Sequence, residues 1–304
     1  MASATPPFRY DEIGDRLRAF RLGSGLSADE IARRLGISRT ALYRFEKGEL
    51  AKIETLDRLA EMLNVSIPTL LGVGIEYVPS AVVYFERMRQ IEETADHISV
   101  LAGPISSLLA SDKFEAVLEQ VLKESLLGGG RNNERALSDI PKIIGILHER
   151  KEMFRRRRPG IVNLISANEI GRFLRDGFVG TTKVSEQVAR ERRLLARAEV
   201  EYFAKIIEEQ PIGTQIGIVT DTLPHSSFHI YRQPDRSVLV LSPFRLGEQP
   251  NIHVGVAMIT SAPEALSLHQ SLVEEVWQRA LKGNAATTYL SALLKNSQEP
   301  SRSA

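Results

Sequence analysis

The stretch "LSADEIARRLGISRTALYRFEKGE", Leu26 to Glu49, leaves the backbone few choices. Two short runs of helical apolar spacing meet at Gly36, and each opens on a Ser. Ser27 and Glu30 form the S-x-x-E capping box: the hydroxyl accepts from the Glu30 N–H, and the carboxylate reaches back to the N–H of Ser27. Ile31, Ala32 and Leu35 give this first helix its buried face. Gly36 suits the left-handed residue that ends it. Ile37 fills the corner, Ser38 caps the next helix, and Ala41, Leu42 and Phe45 turn inward. Ala32 is small where two steeply crossing helices come closest. These features predict a helix, a tight turn and a second helix.

With the core positions removed, the second helix presents Arg39, Thr40, Tyr43, Arg44 and Lys47. Arg39 and Thr40 lie at its start and Arg44 one turn on, the positions that meet base edges when a helix enters a major groove N-terminus first. Arg pairs bidentately with guanine, and Thr offers a hydroxyl or a methyl contact. Tyr43 and Lys47 are placed for phosphate. A basic helix face can also be plain solvated surface, but the caps and turn argue for DNA reading.

Three further helices flank the pair. Ile13, Leu17 and Phe20 mark one that stops near Gly23 to Gly25. "ETLDRLAEMLNV" carries Leu56, Leu59, Ala60 and Leu63 on one face, and "SIPTLLG" has Pro68 in its first turn. The segment, including "RLRAFRLGSGLSADEIARRLGISRTALYRFEKGE", "ETLDRLAEMLNV" and the Ser–Ile–Pro end, resembles the helix-turn-helix domain of the phage repressor and Cro family, also called XRE. The resemblance covers about residues 13–73. It implies that Arg39, Thr40 and Arg44 read bases, while Ser38, Tyr43 and Lys47 lie near the DNA backbone. Ala28 stands where the family usually carries a Gln that touches phosphate.

Chain length, 304 residues, leaves room for more than this unit. We expect an all-α, five-helix N-terminal domain over 1–75, a helical connector and dimerisation segment over 76–127, and an α/β domain over 128–304 that senses an effector or oligomerises. Ala81, Tyr84, Met88, Ile91, Ala95 and Ile98 recur at steps of three and four, a seam serving either packing within the chain or a dimer. Gly103 and Pro104 break it before a helix bearing Phe114, Val117, Leu118, Val121 and Leu122. "LLGGGRNNER" at 126–135 reads as a loop. Beyond it, "GIVNLIS", "QIGIVT", "SSFHIYR", "SVLVLS" and "IHVGVAMI" read as strands. "NEIGRFLRDG", about residues 184–209, "PEALSLHQSLVEEVWQRALKG" and 285–295 read as helices.

A net charge of +1 confines any polyanion contact to a local patch. The absence of Cys excludes disulfides, thiolate metal sites and thiol redox sensing. The N-terminus lacks a secretory pattern, and no apolar stretch reaches membrane-spanning length, so a cytoplasmic protein with no membrane contact is expected. No cofactor or metal is expected; His225 and His229 share one side of a strand but have no third ligand.

The region from about residue 160 resembles the phospholipase D-like α/β fold appended to some regulators, on "GIVNLISANEIGRFLRDG" and "SVLVLSPFR" with "NIHVGVAMITSAPEALSLHQSLVEEVWQRA". Active members need His-x-Lys, and none of the six His has Lys two places on. A non-catalytic domain is therefore expected. Effector candidates are Ser166 and Asn168, where helix N–H groups suit an anion, and His229, Tyr231, Arg232, Arg245 and His253; each also fits a purely structural role. The four-Arg run in "KEMFRRRRPG" suits DNA or ligand phosphate, mimics a localisation signal, or is a solvated helix end. The expectation is a transcription regulator or repressor, a homodimer on a pseudo-palindromic double-stranded operator, controlled by a small molecule. An antitoxin-like partner binder and an enzyme on a DNA-binding tether are the alternatives.

Overall fold

The computed structural model describes residues 9–49, 51–126, 133–181, 183–224, 227–247 and 249–297. Five helices open the chain: α1 (Tyr10–Ser24), α2 (Ala28–Leu35), α3 (Arg39–Phe45), α4 (Ile53–Leu63) and α5 (Ile67–Leu71). Leu17, Phe20, Ile31, Leu35, Leu42, Leu59, Leu63 and Leu70 are all buried. These are the positions that helical spacing selects, so burial of one apolar stripe per helix accounts for the unit.

The next segment departs from expectation. In place of a helical connector it holds β1 (Ile75–Val78), α6 (Ala81–Glu92), β2 (His97–Leu101) and α7 (Asp112–Ser125). Ala81, Tyr84, Met88 and Ile91 do share a helix, but Ile98 lies in β2. Both strands belong to the same sheet as the C-terminal half. The seam misled because α6 is buried nearly all round: Glu86, Arg87, Gln90 and Glu92 are as hidden as its apolar residues. A one-sided pattern cannot announce such a helix.

Then follow α8 (Asn133–Arg157), β3 (Gly160–Ser166), α9 (Ala167–Asp176), α10 (Glu186–Glu209), β4 (Thr214–Val219), β5 (Ser227–Arg232), β6 (Ser237–Ser242), β7 (Ala257–Thr260), α11 (Pro263–Arg279) and α12 (Gly283–Asn296). The proposed loop falls largely on 127–132, outside the described residues, and α8 starts directly after it with Pro141 inside. The strand expected from Ile252 forms only from Ala257. Gly255 has φ +129, where an added Cβ would come 2.3 Å from Pro243 Cγ, so the chain bends before it can pair.

Among the described residues the seven strands form one mixed sheet in the order β1-β7-β6-β5-β2-β3-β4. β2, β3 and β4 run parallel, and the other pairings are antiparallel. The chain is thus an all-α N-terminal unit followed by an α/β domain.

Helix α1 is sealed against that domain by charge. Arg16 donates to Glu12 (3.1 Å) and to Glu76 (3.2 Å). Arg87 of α6 donates to the same Glu76 (2.8 Å) and to Gln90 (2.6 Å). Gln90 in turn donates to the Asp15 carbonyl (3.0 Å), and Arg236 reaches Glu12 (2.8 Å). Burial, with the charge of Arg87 beside it, lowers the pKa of Arg16. Buried charges of this kind are tolerable only when paired and hydrogen-bonded.

Candidate nucleic-acid interface

Both Ser caps form as the sequence demands. Ser27 Oγ accepts from Glu30 N (3.1 Å), and Ser38 Oγ accepts from Ala41 N (3.0 Å). The reciprocal half of the capping box does not form, because the Glu30 carboxylate pairs with Arg34 one turn on. Gly36 has φ +71, and its N–H bonds to the carbonyls of Ala32 and Arg33. Arg58 of α4 holds the carbonyls of Arg34 and Leu35 (2.9 and 3.3 Å), so the C-terminal end of α2 is fixed from a third helix.

Helix α3 is held by its buried Leu42 and, at its far end, by Gly14 of α1. A Cβ on Gly14 would lie 2.6 Å from the Glu46 carbonyl oxygen. Arg21 braces the same corner through a two-point contact with Glu46, with Nη2 at 3.0 Å. Neither Gly14 nor the Arg21–Glu46 pair stood out in the sequence, since both depend on contacts across tens of residues.

The side chains singled out for DNA all reach the surface. Ser38, Arg39, Thr40, Arg44 and Lys47 are exposed and Tyr43 is half-buried. Arg39 lies over the Tyr43 ring at 5.3 Å, donates to its hydroxyl (3.0 and 3.1 Å) and pairs with Asp29 (3.3 Å). Arg44 pairs with Glu49 at 3.1 Å. Lys47 has no ion pair among the described residues. The face is cationic yet partly self-neutralised: two of its cations rest on carboxylates that a phosphate or a base edge would have to displace.

Residues 12–71 match the family model described as a helix-turn-helix domain. No curated protein sequence matches the chain. A solved structure titled as TrmBL2, an archaeal chromatin protein with a novel mode of DNA binding, covers 88% of this chain and 92% of its own at 11% identity and a TM-score of 0.33. That likeness is too loose to equate the folds.

Outside the helix-turn-helix domain, the effector candidates scatter. Ser166 caps α9, accepting from Glu169 N (3.4 Å), and Asn168 beside it is exposed. Tyr231 is fully buried and donates to Glu92 Oε1 (3.1 Å). Arg232 is exposed at the end of β5. His253, also exposed, borders a groove of about 420 Å³ between α1 and α4 on one side and α6 and α8 on the other. His225 lies outside the described residues. His229 and Arg245 do come together: both line one cleft with Tyr84, Phe85, Ser106 and Arg150. Arg150, which the sequence did not single out, is buried and grips Glu92 at two points (2.9 and 2.7 Å). Among the described residues no helix is long and apolar enough to cross a membrane.

Proposed function

We propose that the protein is a sequence-specific transcription regulator of the repressor type. It binds a pseudo-palindromic operator as a homodimer and responds to a small molecule held by its α/β domain. One observation carries this reading: Arg39, Thr40 and Arg44 project exposed from the Ser38-capped second helix of the helix-turn-helix, and Lys47 stands exposed in the turn that follows it. Arg39 and Thr40 at the helix start and Arg44 one turn later suit base edges, while Ser38, Tyr43 and Lys47 suit the flanking phosphates.

Dimerisation is inferred from charge. Asp29 and Glu49 offset two of the cations on the basic face of one copy, so useful affinity calls for two reading helices on half-sites about 34 Å apart. No catalytic step is assigned to the α/β domain, and the site of action is cytoplasmic. The test is selection of bound duplexes from a random pool, followed by footprinting of the winner. A two-fold symmetric consensus with half-sites one helical turn apart is expected. A pool that stays unenriched, with binding governed by salt alone, would remove sequence reading.

A further inference from the structure

At the carboxyl end of β2, the cleft that contains His229 holds a space of about 50 Å³ and opens to solvent. From the sheet, Val100 and His229 line it. Val100 is the register partner of both Asn163 on β3 and His229 on β5, and directly paired residues project from the same face. Asn163 is fully buried, and neither atom of its side-chain amide has a hydrogen-bond partner among the described residues. The Nδ1 of His229 is equally buried and unpartnered, and His229 lines the cleft. Folded chains rarely leave such groups unpaired. The His229 nitrogen therefore marks a polar recognition point in the cleft, with the Asn163 amide next to it in the sheet but outside the cleft lining.

The charges around the cleft limit what it can hold. Arg150 is neutralised by Glu92. Burial, with Arg150 behind it, pushes His229 down to about 3, so its ring is neutral near pH 7. Arg245 stands exposed at the mouth, and its guanidinium has no ion pair among the described residues. On the far side the Glu169 carboxylate lies directly against Gly103 and is offset by its pair with Arg172 (3.8 Å). One unbalanced cation remains, at the entrance. A neutral imidazole nitrogen is either donor or acceptor according to tautomer, and a hydroxyl satisfies both. A water-sized group needs about 10–15 Å³ of such space, so the cleft takes about four non-hydrogen atoms, with the rest of a ligand at its mouth.

We propose that this cleft binds a small hydroxymonocarboxylate, its carboxylate on Arg245 at the mouth, its hydroxyl on His229 Nδ1 and its carbon skeleton against Phe85 and Leu246. The inference rests on the effector reading above and gives it a ligand class. It also gives a route to the helix-turn-helix domain, because Tyr84 and Phe85 line the cleft from the same helix α6 whose Arg87 and Gln90 hold Glu76 and the Asp15 carbonyl.

The test is calorimetric titration of the full-length protein with lactate and glycolate, against propionate, lactamide and inorganic phosphate. Lactate or glycolate should bind. Propionate, lacking the hydroxyl, and lactamide, lacking the charge, should each bind about tenfold or more weakly. Arg245→Gln, at an exposed position, should bring lactate down to the level of lactamide, and His229→Phe should bring it down to that of propionate. The proposal is overturned if neither hydroxy acid binds at millimolar concentration, if phosphate binds as well as lactate, or if Arg245→Gln leaves lactate affinity unchanged. Fluorescence anisotropy on the selected duplex without any acid reports separately on DNA reading. Loss of duplex binding there removes the regulator and leaves the cleft chemistry standing, and the converse result does the reverse.

Discussion

Arg44→Ala separates base reading from charge attraction. Arg44 is held by Glu49 at 3.1 Å, with the two side chains 58% and 55% exposed. A pair so open to water is worth about 0–1 kcal/mol, and it must open before the guanidinium can meet a base. A bidentate Arg–guanine contact is worth about 1–3 kcal/mol of discrimination. The difference leaves about 1–2 kcal/mol at the operator, a loss of about five- to thirtyfold in affinity when Arg44 is truncated. A scrambled duplex loses only one cation, which lowers the salt slope by about 0.9 and costs little near physiological salt. Glu49→Gln removes the competing carboxylate and should strengthen operator binding by up to about fivefold, a change of opposite sign from the same ion pair. Anisotropy titrations on the selected operator and on its scrambled sequence, at several salt concentrations, read both. Equal fold losses for Arg44→Ala on the two duplexes would refute base contact, and no gain from Glu49→Gln would refute the competition.

Other consequences concern stability and pH. Glu76→Ala strands the buried guanidiniums of Arg16 and Arg87 and should cost about 3–5 kcal/mol in urea unfolding; a loss below 1 kcal/mol, taking about 3–5 as the reference, would mean that the network is not the seal between α1 and α6. Gly14→Ala forces a methyl against the Glu46 carbonyl and should cost about 1–3 kcal/mol, with weaker duplex binding because the end of α3 shifts; unchanged melting would rule out that close approach. His229 titrates at about 3 in the fold and near 6.5 when unfolded. Between those values the unfolded chain takes up the extra proton, so stability falls as pH drops from about 6.5 toward 3, by at most about 1.4 kcal/mol per pH unit. Urea midpoints across that window should fall less steeply for His229→Phe than for the wild type, and parallel profiles would contradict the burial of the ring.

What could be read from the sequence was whatever depends on near neighbours. Ser27, Gly36 and Ser38 act on atoms within five residues, so the two helices of the turn and the exposed face of the second were visible in a short window. The five apolar stripes of the N-terminal unit and the apolar and aromatic runs of β3 to β6 were visible for the same reason. Failures came where distant partners decide the outcome. β2 alternates polar and apolar over His97–Val100, but Ile98 also extends the three- and four-residue steps of α6 and so reads as helix, while β1 has four residues and is a strand only because β7 pairs with it. Arg87, Gln90 and Arg150 look like ordinary helix polarity until Glu76, Asp15 and Glu92 are found opposite them. His229 and Arg245 share the cleft only through the antiparallel return of β5 and β6, while Tyr231, two residues along the same strand, is locked in the core by Glu92. Pro141 hid α8, since Pro inside a helix removes a hydrogen bond that tertiary packing must offset.

Only residues 72–74 separate α5 from β1, and the Glu12–Arg16–Glu76–Arg87 network clamps α1 alongside. Helix α3 is therefore less an arm on a leash than a tooth cut into a gear. It can change its aim only if the body that carries it moves too. A paired operator would then be measured as by a caliper, and inserting a few base pairs between half-sites would abolish recognition where a loosely strung head would simply stretch.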